Sequence, residues 1–117
     1  PDSHEEPGLL IFRYDSPLFF ANAQNFLEHA RAFIAERRDG LQWFALQCEA
    51  IIEIDSSGVD ALLTLCDELE RLDVRFVLVR AKQDLQETLA RTPVIDRVGL
   101  EHIYPTLPTL VEAFRSR

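Results

Sequence analysis

Apolar and polar positions along this chain change period several times, and each change predicts an element. The run Leu9-Leu10-Ile11-Phe12 follows Gly8 and closes at Asp15-Ser16-Pro17, which predicts a first strand over 9–14. Residues 18–21 predict a second, very short strand, turning back tightly on the first as an antiparallel neighbour. From Asn22 the apolar positions fall at three- and four-residue steps: Ala23, Phe26, Leu27, Ala30, Phe33 and Ile34. That is one face of a helix, with Asn22 as N-cap, Arg37 and Arg38 at the negative end of its dipole, and Gly40 ending it.

The strand pattern returns over 41–50 around Trp43-Phe44-Ala45-Leu46, apolar enough for a central strand covered on at least one face. After Asp55-Ser56-Ser57-Gly58 a second helix carries the stripe Val59, Leu62, Leu63, Cys66, Leu69 and Leu72. Residues 75–80 predict a strand with the core Phe76-Val77-Leu78-Val79, and 83–91 a short helix interrupted at Thr92-Pro93. Residues 94–98 add a turn, 102–104 an edge strand, and 107–116 a last helix with Leu107, Leu110, Val111 and Phe114 inward and Pro108 in its first turn. The predicted order is β-β-α-β-α-β-α-β-α. It implies a single layered α/β domain, with helices packed against a mixed, mostly parallel sheet.

With 117 residues, 47% of them apolar, the chain suits one domain with a real core. No apolar run approaches the roughly 20 residues of a membrane-spanning helix. The formal charge is -8, and residues 1–60 hold 4 basic against 11 acidic side chains. Nucleic-acid binding needs clustered Lys and Arg, so a nucleic-acid partner is not expected, nor is a polybasic membrane patch. The chain has no Met and starts at Pro1. We therefore expect a piece of a longer protein, with residues 1–7 a linker remnant and 8–117 the domain. Cys48 and Cys66 lie in apolar surroundings without CxxC spacing, which predicts two buried free thiols.

Enzyme templates find little to hold. Gly8, Gly40, Gly58 and Gly99 build neither a GxGxxG nor a P-loop signature. His4, His29 and His102 make no HExxH and no familiar metal spacing, so neither metal nor cofactor is expected. A triad of His102 with Ser57 would still lack an orienting acid and an oxyanion site. The informative stretch is Ile54-Asp55-Ser56-Ser57-Gly58-Val59-Asp60-Ala61-Leu62, placed between a strand region and a well-patterned helix. A helix start presents unpaired N–H groups and a positive dipole end, and Gly58 permits close backbone approach. Read as chemistry, this is a solvent-accessible, electropositive corner where a phosphate on Ser57 would find donors and Asp55 would oppose it. Read as structure, Asp55 or Ser56 is simply the N-cap. A small anion or nucleotide would draw on Ser57, Gly58, Arg80 and Lys82; equally, Arg80 and Lys82 merely end a strand.

The same nine residues resemble the signature loop of STAS domains. That family includes bacterial anti-sigma-factor antagonists and the cytoplasmic C-terminal domains of sulfate-permease (SulP) anion transporters. Two further stretches resemble the transporter branch: Pro7-Gly8-Leu9-Leu10-Ile11-Phe12-Arg13-Tyr14-Asp15-Ser16-Pro17-Leu18-Phe19-Phe20-Ala21-Asn22, and Leu89 through Phe114 with Val98-Gly99-Leu100. The resemblance implies a STAS domain over 8–117 with no catalytic activity. It implies a place at the cytoplasmic face of a membrane transporter for sulfate or a related anion. The expected partners are the membrane domain preceding Pro1, a second copy as homodimer, and a serine kinase or other cytosolic protein. It also implies Ser57, with Ser56 beside it, as the matching phospho-acceptor position. The alternative it carries is a free-standing anti-sigma-factor antagonist, bound to a kinase until Ser57 is phosphorylated.

Overall fold

The computed structural model describes residues 6–117. Three five-residue strands dominate its sheet: β1 (Leu9–Arg13), β2 (Trp43–Gln47) and β3 (Arg75–Val79). The two-residue β4 (Ile103–Tyr104) completes it in the order β1-β2-β3-β4, every neighbouring pair parallel. Between and after the strands run α1 (Phe20–Glu36), α2 (Ser56–Arg71), α3 (Gln83–Ala90), α4 (Pro93–Val98) and α5 (Leu107–Arg115). A single 3₁₀ turn, Leu100–His102, occupies the start of the predicted 102–104 strand.

The period-two alternation of the strands sorts their side chains onto two faces. The register pairs Leu10 with Phe44 and Phe44 with Phe76, and likewise Phe12 with Leu46 and Leu46 with Leu78. These six side chains pack in one core with Phe26 and Leu27 of α1, Leu62 and Leu65 of α2, Leu85 of α3 and Val94 of α4. Leu9, Trp43, Ala45, Val77 and Val79 point the other way, against Leu110, Val111 and Phe114 of α5. All five residues of β2 are buried. Cover on both faces explains why its sequence reads as a continuous apolar run rather than an alternating one.

The predicted hairpin at the start is absent. Residues 18–21 make no strand; only Leu18 pairs, in an isolated parallel bridge to Ile54, and α1 already begins at Phe20. The sheet therefore lacks the expected antiparallel neighbour, and among the described residues the one antiparallel pairing is an isolated bridge between Glu6 and Leu9. The reason lies in where the backbone donors go. Phe19 N–H donates to Asn22 Oδ1 at 2.9 Å and Phe20 N–H to Asp55 Oδ2 at 2.9 Å, so the chain enters a helix instead of a ladder. Asn22 is thus the third residue of α1, reaching back to its start, and not the N-cap. Its amide nitrogen also donates to Ser16 Oγ and to Pro17 O, tying down the loop ahead of the helix.

Two smaller corrections concern packing. Phe33, placed in the buried stripe of α1, is 42% exposed, although its ring still meets Phe12 edge-on at 5.2 Å. Leu65, absent from the predicted stripe of α2, is fully buried. α2 is covered by both the sheet and its flanking helices, so its apolar face is wider than the stripe the spacing picked out. Of the predicted linker remnant, residues 1–5 lie outside the described residues. Glu6 joins the domain through its bridge to Leu9 and a hydrogen bond from Arg115 Nε at 2.8 Å.

Candidate functional site

The segment between β2 and α2 brings the two longest helices to one corner. Asp55 is the N-cap of α2, and its Oδ1 accepts from Gly58 N–H at 2.9 Å. Its other oxygen, Oδ2, accepts from Phe20 N–H, the first residue of α1. The side chain of Phe19, at the α1 N-cap position, has no acceptor, so a carboxylate 35 residues away supplies the capping group. One side chain thereby serves the positive ends of two helices. The N–H groups of Gly58 first, then of Phe20 and Ser57, hold the Asp55 carboxyl below the usual carboxylate range.

Gly58 locks this corner by its lack of a side chain. A Cβ there would run into the Leu18 carbonyl oxygen and stand 2.7 Å from Ile54 Cγ1. The close approach Gly58 permits is therefore to the neighbouring Leu18 segment of the same chain. The backbone is stitched on the same side, with Leu18 N–H donating to Glu53 O at 3.0 Å and Asp55 N–H to Leu18 O at 3.1 Å. Ser56 and Ser57 are the first two residues of α2; Ser56 is exposed and Ser57 half-buried. Both hydroxyls stand at a helix start, where a negative group is tolerated. The corner is nevertheless not a bare positive end, as the sequence had suggested. The Asp55 carboxylate occupies it, and exposed Glu53 and Asp60 flank it.

Arg80 and Lys82 lie between β3 and α3. Arg80 follows β3 in a left-handed conformation (φ 61), uncommon for a residue with a Cβ. Its Nη2 pairs with Glu49 Oε2 at 3.0 Å, and that guanidinium holds the Glu49 carboxyl down. Lys82 is exposed, at the residue ahead of α3. Among the described residues no hydrogen bond or ion pair joins Arg80 or Lys82 to Ser57 or Gly58. His102 sits beside Arg75, the first residue of β3. Its ring accepts from Arg75 Nη1 at 2.7 Å through Nε2, which leaves Nδ1 as the donor to Val98 O at 3.0 Å. Among the described residues the ring's hydrogen-bond partners are Arg75 and Val98, and no bond joins it to Ser57. Cys48 and Cys66 are free and buried, and burial pushes their thiols up to about 12 and about 11. Among the described residues no group of three or more His, Cys, Asp and Glu is placed to hold a metal ion.

Sequence reasoning missed two features of the corner. It did not find the second bond of Asp55, because that partner is remote in sequence. It also read 18–21 as a strand and so missed that Phe19, Phe20 and Ile52 stand exposed beside the loop. The signal for the latter was an apolar run too short for a strand, followed at once by a helical period.

The STAS domain family matches residues 1–111 of the chain. The chain belongs to that family. Over its full 117 residues this STAS domain is 42% identical to the "Probable sulfate transporter Rv1739c" of Mycobacterium tuberculosis, and it spans 21% of that protein's length. The solution structure of the STAS domain of that protein is 38% identical, with a TM-score of 0.55, covering 97% of this chain and 92% of the other. The murine Solute Carrier 26 family member A9 anion transporter, in its inward-facing state, shares the fold at a TM-score of 0.87 and 23% identity. That match covers 97% of this chain and 18% of the transporter. Among the described residues, no helix of the domain is long and apolar enough to cross a membrane.

Proposed function

We propose that this STAS domain is the regulatory part of a SulP-type transporter for sulfate or a related anion, held at the cytoplasmic face of the membrane. The observation that carries this reading is the 42% identity to a probable sulfate transporter, sustained across all 117 residues of a chain one-fifth that protein's length. The geometry supports a non-catalytic role. The corner built on Asp55 and Gly58 is filled by the chain's own backbone: the Leu18 carbonyl closes against Gly58, and both Asp55 oxygens accept from backbone N–H groups. The work of the domain is then interactive: stabilising the transporter, contributing dimer contacts and relaying the binding of a cytosolic partner.

Within that reading Ser57 is the regulated position, with Ser56 beside it. A phosphate there would stand at the start of α2 next to the Asp55 carboxylate, and like-charge repulsion would act on the one group shared by α1 and α2. The test of the whole reading is the reading frame that encodes the parent protein. It is expected to contain several apolar segments of about 20 residues ahead of this domain. A start codon directly before Pro1, with no such segment in the frame, would overturn the transporter and leave the free-standing antagonist. Nucleotide or sulfate binding by the domain has a separate check in titration calorimetry at millimolar ligand, where no heat would remove it.

A further inference from the structure

Large apolar side chains exposed on this domain are Phe19, Phe20, Phe33, Ile52 and Leu100. Phe20, at 81%, is the most exposed of them. Two of the five, Phe19 and Ile52, come together although they lie in separate segments of the chain. Phe19 and Ile52 line one groove of about 480 Å³, with Ile54 and with Leu85 of α3 in its walls. Phe20 follows Phe19 directly, pinned by its backbone bond to Asp55. Among the described residues the only charged side chains in the groove walls are Glu53 and Asp84, both acidic and both exposed.

From this juxtaposition we infer that the Phe19–Ile52 groove, with exposed Phe20 next to it in sequence, is a docking surface for a basic amphipathic segment supplied by the membrane part of the same transporter. The inference rests on the transporter reading above. Apolar side chains held out in water in a fixed cluster gain free energy when a partner covers them. Acidic walls select a partner with Lys or Arg flanking its apolar residues and reject acidic ones. Loops on the cytoplasmic side of membrane proteins carry that excess of Lys and Arg. This domain spans only 21% of its transporter relative, so such loops would be tethered to it at high effective concentration. A second copy of the domain is the poorer occupant. A twofold interface sets the same patch against itself, so Glu53 and Asp84 would face their own like charges. Nucleic acid and anionic lipid are repelled by the same walls.

The experiment places a photo-crosslinking benzophenone residue at Phe20 and at Ile52 in the full-length parent chain, in membranes, with exposed Glu112 on α5 as control position. Cross-linked peptides are mapped by mass spectrometry. Expected are links from positions 20 and 52, and not 112, to a cytoplasmic segment of the membrane part with Lys or Arg within about one helical turn of the linked residue. The double substitution Glu53→Lys, Asp84→Lys is expected to lower that yield roughly five-fold, since exposed charge pairs are each worth a small factor. Raising ionic strength from about 0.05 M to about 0.5 M is expected to act in the same direction. Phe20→Ser, which leaves the charges alone, is expected to lower the yield from position 52. Links to a second STAS domain or to a separate protein overturn the proposal, as do equal links from 112 or a yield untouched by charge reversal. A parent frame without membrane-spanning segments removes the transporter reading as well; a frame with them, and links elsewhere, removes the docking alone.

Discussion

At the scale of single residues, Gly58 and Asp55 carry different burdens. Gly58 is tolerated only without a Cβ, because the Leu18 carbonyl and Ile54 fill the space beside it. Gly58→Ala adds one methyl group to a packed contact and is expected to lower stability by about 1–3 kcal/mol despite the better helix propensity of Ala. Urea denaturation reads this directly, and an unchanged midpoint would mean that the Leu18 segment yields. Ser57 presents the opposite case. A carboxylate at the second position of a helix is tolerated, so Ser57→Glu is expected to keep the midpoint within about 0.5 kcal/mol of the parent while changing partner contacts. Loss of the folded signal in circular dichroism would show Ser57 to be structural.

At the scale of elements, α2 is the wedge of the domain. Leu65 faces the core fully buried, while Phe33 of α1 lies on the rim at 42% exposure. Leu65→Ala is therefore expected to cost about 2–5 kcal/mol, and Phe33→Ala clearly less, although Phe is the larger side chain. Comparing the two midpoints tests the packing order; a greater loss at Phe33 would contradict it. Both helices were legible from their period. Helical spacing names which residues share a face, but how wide that face is buried depends on what else packs there, which is why Leu65 was omitted and Phe33 included. The start of α1 was misread for a related reason. Its capping acceptor is Asp55, far along the chain, and local spacing around Asn22 carries no trace of it.

At the scale of the whole molecule, the acidic composition is partly organised into bonds made only when folded. Side-chain bonds from Arg115, Arg80 and Arg31 hold Glu6, Glu49 and Glu68 low, and backbone N–H groups do the same for Asp55. A carboxyl whose folded value lies below its unfolded value stabilises above the unfolded value, about pH 4, and loses that contribution as pH falls through the folded one. The midpoint is expected to be nearly level from about pH 8 to about pH 6 and to fall below about pH 4. Asp55→Asn separates one group from the rest. Asn has a single acceptor oxygen, so it caps α2 or α1 but not both. Its midpoint at neutral pH is expected to be lower than the parent's and its acid slope shallower, measured by urea titration across pH. An acid slope identical to the parent's would take Asp55 out of the account.

The alternation of periods along the chain was enough to determine an α/β domain, the three main strands, all five helical segments and the helix start at Asp55-Ser56-Ser57-Gly58. Those features are local: each depends on neighbours within a turn or a strand, which the order of residues specifies directly. Only the tertiary structure decided that a helix opens at Phe20, that one carboxylate closes two helices, and that Arg80 pairs with Glu49. Each of these is a choice between partners far apart in sequence, and the winner is set by which donors and acceptors the packed layers bring within reach.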